Sequence, residues 1–141
     1  MDEIKSVYTV KAEGPPDYYL GNDYKRDKKG CLCVDRKKYI KEVLTQIETI
    51  FGTLRKYNNP SETGDNPELD NSRALGDEEH RQYQMLTGTL IWVVGLGRSG
   101  VTHATSSLSI FSACPIEGHL ARALHILGLL KKRPYRRYVL R

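Results

Sequence analysis

The stretch from Tyr83 to Arg133 limits the fold of this chain more than any other. It opens Tyr83-Gln84-Met85-Leu86-Thr87-Gly88-Thr89-Leu90-Ile91-Trp92-Val93-Val94, passes through Gly95-Leu96-Gly97-Arg98-Ser99-Gly100, and closes on Leu129-Leu130-Lys131-Lys132-Arg133. Two readings of its residues compete. Gly95-x-Gly97-x-x-Gly100 after an apolar run spells a dinucleotide-binding fingerprint, whose glycines let backbone N–H groups approach a pyrophosphate at a helix N-terminus. Tyr83, Leu86, Leu90 and Val93-Val94 recur instead at helical spacing, as do Leu120, Leu124, Leu127 and Lys131, with Ile126, Leu129 and Leu130 beside them. The nucleotide reading requires an acid at the end of a second parallel strand, and Cys114-Pro115-Ile116-Glu117 offers no strand. The roughly 40 residues after the motif are also too few for the remaining strands of that fold. The helical reading therefore predicts that Gly95–Gly100 lies between two helices. Val101 to Ser112 is then a short helix with Ser99 as its cap. Pro115 opens the last helix, since proline is tolerated in a first turn.

Upstream the chain reads β first and then α. Ser6 to Val10 favours a strand and is stopped by Gly14-Pro15-Pro16. Tyr18 to Tyr24 and Cys31 to Val34 flank a charged turn ending in Gly30, which predicts a β-hairpin. Asp35 is a candidate N-cap. After it Tyr39, Ile40, Val43, Leu44, Ile47, Ile50, Phe51 and Leu54 keep a three- and four-residue period, while Lys37, Lys41, Glu42 and Glu48 occupy the other face. Arg55 to Glu78 holds Pro60, Gly64, Pro67 and Gly76 with no apolar period, and predicts an exposed linker, disordered or loosely draped. The expected fold is α+β. A hairpin or small antiparallel sheet fills residues 1–36, about four helices fill 37–134 around a loop at 55–78, and 135–141 form a tail or linker.

Composition narrows function by exclusion. With 141 residues, 28% charged and 39% hydrophobic, the chain is a single globular unit in type. No apolar run approaches the ~18 residues of a spanning helix, and Met1-Asp2-Glu3-Ile4-Lys5 lacks the basic start and apolar core of a secretion signal. The expectation is a cytoplasmic or nuclear protein, not secreted and without membrane contact. Cys31-x-Cys33 with Cys114 and either His103 or His119 matches no usual zinc spacing. Nor do Ser99, Ser106, Ser107 and Ser109 near His103 amount to a nucleophile–base pair. No cofactor is expected of the chain itself. The net charge of +5 is unevenly spread. Lys25, Arg26, Lys28 and Lys29 form one basic cluster; Lys131, Lys132, Arg133, Arg136, Arg137 and Arg141 form another, whereas Asp65 to Glu79 is acidic. Such clusters suit either a solvated face or phosphate contacts.

An ordered set of short words runs through the chain: Tyr19-Leu20-Gly21, Lys38-Tyr39-Ile40, a Pro60-to-Gly64 loop, Tyr83-x-x-Leu86-x-Gly88-x-Leu90, Leu108-Ser109-x-Phe111 closing on Pro115, and His119 with Ala123, Leu127, Leu130 and Lys131. From about Val10 to Arg137 this order resembles the back end of the reverse transcriptase of copia-type retrotransposon polyproteins. There a strand ending in Leu-Gly follows the catalytic palm, and a hairpin and the thumb helices come after it. The family's break before the third helix usually carries an aspartate; here it reads Arg98-Ser99-Gly100.

The resemblance implies a fragment of a larger polymerase fold, made of primer-grip hairpin, thumb and connecting helices. The family's divalent metal ions are held by palm carboxylates from a Tyr-Val-Asp-Asp-like turn, and this chain has no Asp-Asp pair. It would therefore not polymerise alone, and needs no metal outside the intact parent enzyme. The implied partners are an RNA–DNA or DNA duplex, held weakly through phosphates, and the missing remainder of the polymerase. The residues implied in duplex contact are Leu20, Gly21, Lys25, Lys28, Lys29, Lys131, Lys132, Arg133, Arg136 and Arg137. Two other readings stand beside this one: a small nucleotide-binding protein using the glycine motif, and a helical module that binds a protein partner.

Overall fold

The computed structural model describes residues 17–20, 22–134 and 138–140. Strands β1 (Tyr18–Tyr19), β2 (Asn22–Arg26) and β3 (Leu32–Asp35) form an antiparallel meander, and β4 (Tyr138–Leu140) returns from the far end of the chain to pair with β3. The pairing Tyr19↔Asn22 leaves a two-residue turn in which Leu20 takes φ 49°, as a tight hairpin of right-handed twist demands. The second turn is held by its own side chain. The Asp27 carboxylate accepts the N–H groups of Lys29 and Cys31 at 2.8 and 2.9 Å. The segment expected to trail as a tail contributes the edge strand, with Leu32↔Leu140 and Val34↔Tyr138 in register. The strand expected at Ser6–Val10 lies outside the described residues.

Helix α1 (Lys37–Phe51) follows the sheet directly. Asp35 does the capping, accepting the N–H groups of Arg36 and Lys37 at 2.8 and 3.1 Å, although the helix itself starts one residue later than expected. Its buried stripe is Ile40, Leu44 and Ile47, with Leu54 just beyond the end. Helices α2 (Asp77–Gly95), α3 (Thr102–Ser109) and α4 (Glu117–Lys132) pack against one another; α1 lies against both α4 and β2. The arrangement is α+β, a small antiparallel sheet with four helices.

The first half of α2 is ordered by charge. The Glu79 carboxylate accepts the Gly76 N–H at 3.0 Å and pairs with Arg73, and Asp77, Glu78 and Glu79 all sit in the first turn, where the helix dipole favours anions. The second half is ordered by burial. Tyr83, Leu86, Leu90 and Val93 are inaccessible to solvent or nearly so. Tyr83 donates its hydroxyl to the Leu108 carbonyl at 2.5 Å, tying α2 to α3. Thr87 back-bonds to the Tyr83 carbonyl at 3.0 Å and is buried without an unmet hydroxyl. Gly95 ends α2, and a short turn at Ser99–Val101 leads into α3, so Gly95–Gly100 does lie between two helices.

Residues 55–76 are mostly exposed, as expected of the linker, and they run as a strap laid along α4. The Tyr57 N–H donates to the Gly128 carbonyl at 3.4 Å, Leu75 N–H to Pro115 at 3.2 Å, and Glu117 N–H to Arg73 at 2.9 Å. An isolated bridge joins Ala74 to Ile116. The linker lacks apolar period because it is not a helix or a strand, yet it binds through its backbone and through polar groups, which periodicity does not register. The buried stripe of α4 runs through His119, Ala123, Ile126, Leu127 and Leu130, with Leu120 and Leu124 half-buried against the same core. Helices α2 and α3 cover one side of α4 and the strap another, so from Ile126 to Leu130 the helix is buried all round.

Gly128 is where helix and strap come closest. A Cβ there would stand 2.1 Å from the Arg55 carbonyl oxygen and 2.7 Å from the Tyr57 ring. Neither backbone can yield locally, so Gly128→Ala should destabilise the chain by about 1–3 kcal/mol, the usual cost of overpacking. Urea unfolding checks this, and Gly88→Ala, whose Cβ would meet open space, is the control and should not destabilise. A second prediction concerns the strap itself: the amides of Tyr57, Leu75, Glu117 and Gly118 should exchange with solvent as slowly as those of α1. Fast exchange at all four would restore the loose linker.

Candidate functional site

The two basic clusters are built differently. In the first, the Asp27-held turn presents Lys28 and Lys29 to solvent, and Lys25 is exposed on β2. None of the three has a side-chain partner among the described residues, whereas Arg26 donates to the Gly30 carbonyl at 2.9 Å and braces the turn. Leu20 is 57% exposed at the tip of the β1–β2 turn; its neighbour Gly21 lies outside the described residues.

The second cluster is partly consumed by the fold. Lys131 Nζ reaches the Glu48 carboxylate at 2.5 Å and the Leu54 carbonyl at 3.1 Å, pinning α4 to the end of α1. The Lys131 ammonium, helped by the Leu54 N–H, holds the Glu48 carboxyl below the usual carboxylate range. Lys132 is exposed and reaches Asn58 Oδ1 on the strap at 2.5 Å. Arg133 is exposed, and its carbonyl accepts the Arg98 guanidinium. Arg136 and Arg137 lie outside the described residues. Of the second cluster, then, Lys131 is a structural residue, and Lys132 and Arg133 remain at the surface.

The second cluster precedes β4, whose first residue, Tyr138, pairs with Val34 at the end of β3 away from the Lys28–Lys29 turn. The strand then runs from Val34 towards Leu32. Two segments far apart in sequence thereby feed neighbouring strands of one sheet.

The glycine motif sits elsewhere and does another job. Gly97 has φ 95°, and the place a Cβ would occupy is 3.3 Å from the Arg36 guanidinium. Arg98 is only 8% exposed and spans from the α2–α3 break to the end of α4. These residues let three elements meet closely. The strand-turn-helix frame that a pyrophosphate site requires is not what precedes and follows them, since both flanks are helical.

Sequence reading missed a heavily bonded guanidinium on α4. Arg122 on α4 grips the strap with its whole guanidinium: Nε and Nη2 donate to Asp65 Oδ1 at 3.0 and 2.7 Å, and Nη1 to Asp70 Oδ2 at 2.5 Å. Around it His125 stacks on Tyr57, with ring centroids 3.7 Å apart, and donates to the Asn59 carbonyl at 2.9 Å. His119 is buried against Phe111 and donates to the Pro67 carbonyl at 3.1 Å. Gly118 N–H donates to Ser72 Oγ at 2.8 Å. No period marked it, since Arg122 and His125 stand on a helix that also carries Glu117, His119 and Lys131. Arched over α3 and α4, the strap also encloses an open-mouthed cavity of about 380 Å³. Among the described residues, no three His, Cys, Asp or Glu side chains converge as metal ligands.

No family model matches this chain, and neither a curated protein nor a solved structure is detectably similar to it.

The Arg122 grip carries a pH prediction. Arg122 and then the Ser72 N–H push the Asp70 carboxyl down from 3.8 to about 2, and Glu48 is lowered as well. A carboxyl whose pKa is lower in the folded than in the unfolded chain contributes stability above its unfolded value, and the contribution is lost as pH falls through the folded one. Stability should therefore begin to decline just below pH 4.5 and continue to fall towards about pH 2. In Arg122→Gln that acid limb should be shallower, with stability at neutral pH already reduced. An unchanged acid limb in thermal melts at stepped pH would show that the ion pair contributes nothing.

Proposed function

We propose that this chain is the primer-grip, thumb and connection part of a copia-type reverse transcriptase, and that what it retains is weak, sequence-independent binding of a template–primer duplex. What supports the reading above all is the order of the matching words, taken with where their residues lie. Tyr83, Leu86, Leu90, Leu108, His119, Ala123, Leu127 and Leu130 are all buried, so these words are packing positions of a helical cluster rather than chance spacings on a surface. The Leu20 turn and the Lys28–Lys29 turn stand at exposed hairpin tips, as a surface laid along a nucleic-acid backbone would need. Contacts of this kind are made to phosphate and carry no base information.

The chemistry follows from what the side chains can and cannot do. Lysine ammonium groups at exposed tips neutralise phosphates and release counterions, which drives binding without specificity. Primer extension needs metal ions held against the primer hydroxyl by carboxylates, and in this reading those belong to the missing palm. On its own the chain then binds and does not polymerise. As part of the parent enzyme, its role is to hold the duplex while the palm reacts.

The test is fluorescence anisotropy on the full chain, with a labelled RNA–DNA hybrid and several DNA duplexes of unrelated sequence. Affinity should be similar for all and fall between ~50 and ~200 mM salt, with a log–log slope near −0.9 per phosphate neutralised. Lys28→Ala with Lys29→Ala, or Lys132→Ala with Arg133→Ala, should flatten that slope by about one or two phosphates for every sequence alike. Lys131 stays intact in both, because its loss would loosen α4 from α1. No nucleotide incorporation should occur with any divalent metal. Binding that ignores salt, or slopes unchanged in both variants, would leave the clusters as solvated faces and end the proposal.

A further inference from the structure

The cavity under the strap is independent of the reading above, since a duplex-holding surface has no need of it. Its floor comes from α3 and α4 and is apolar, with Ala104, Leu108, Ala121 and Ile126. The strap supplies three carboxylates to its walls, Glu62, Asp65 and Asp70. Only one fully charged cation, Arg122, answers them, and its donors are taken up by Asp65 and Asp70. The Glu62 carboxylate has no partner among the described residues. Across the opening, His103 and Ser107 stand one turn apart on α3, their side chains likewise without a partner among those residues. The Tyr57–His125 stack closes one end.

A volume of about 380 Å³ falls in the range of small-molecule sites, roughly 300–1,000 Å³, which combine an apolar lining with a few convergent polar groups. The sign of the uncompensated charge selects the ligand, because an anion would meet three carboxylates and a cation only one guanidinium. An aromatic wall adds cation–π attraction for a planar charged group. We propose that this cavity is a binding site for a small planar organic cation of the amidine or guanidine class. Its flat apolar body rests on Ala104, Leu108 and Ile126, and its charge is turned towards Glu62. Ser107 and His103 accept its outer N–H groups.

Benzamidine is the probe, with benzamide as its neutral and benzoate as its anionic counterpart, each titrated into the full chain and followed through amide shifts in two-dimensional NMR. Benzamidine should shift Ser107, Gly118, Ala121 and Arg122, and bind at least about tenfold more tightly than either counterpart, equivalent to about 1.4 kcal/mol. Glu62 is exposed, so Glu62→Gln leaves the fold intact and should weaken benzamidine roughly three- to fivefold, as expected for a partly solvated ion pair. Ser107→Leu, placed to fill the cavity, should abolish the shifts while the thermal midpoint confirms folding. Benzamidine shifts scattered away from these four residues, equal binding of benzoate, or an unaltered Glu62→Gln titration would each overturn the proposal.

Discussion

Arg122 and Gly128, six residues apart on the last helix, set the geometry on which the rest of the molecule depends. Glycine at 128 lets the strap backbone lie against the helix, and Arg122 then anchors the strap's acidic half. With side-chain exposures of 23, 19 and 20% for Arg122, Asp65 and Asp70, this pairing is far less screened than the surface pair of Arg73 and Glu79, at 58 and 37%. Remove the strap, and α4 would show solvent an apolar flank from Ile126 to Leu130. The long connection is thus a layer of the fold, supplied by a segment with almost no apolar residues.

That arrangement also divides the basic residues by role. Lys131 looks like the start of a phosphate-binding run, yet its ammonium is bonded to a carboxylate and a carbonyl in the interior seam between α1 and α4. Lys132 and Arg133 follow it by one and two residues and point elsewhere. Charge density along a sequence therefore overstates the surface available to a polyanion. The hairpin cluster is the reverse case. Asp27 and Arg26 are spent on shaping the turn, and that expenditure leaves Lys28 and Lys29 displayed.

The glycine run shows the same separation of pattern from purpose. Its spacing suits a phosphate-binding turn, but such a turn works only where a strand delivers the chain and a helix dipole faces the ligand. Between two helices the glycines serve packing: Gly97 admits the Arg36 guanidinium, and Arg98 crosses to the end of α4.

Local chemistry made several features legible in the sequence alone. The period of Ile40, Leu44 and Ile47 specified α1, and that of Tyr83, Leu86, Leu90 and Val93 specified α2. The charged turn between two β-favouring runs specified the hairpin, and the glycine break specified where α2 must stop. All of these depend on spacing within about twenty residues, where period and turn propensity act. Tertiary structure decided the rest. Whether β4 joins the sheet, which face of α4 is buried, whether Lys131 is free, and whether the linker is loose all turn on contacts between segments far apart in sequence. Those contacts are backbone hydrogen bonds, a stacked Tyr57 and His125, and one guanidinium between two carboxylates. None of them leaves a periodic trace, because each depends on a single residue meeting a distant one after the helices have packed.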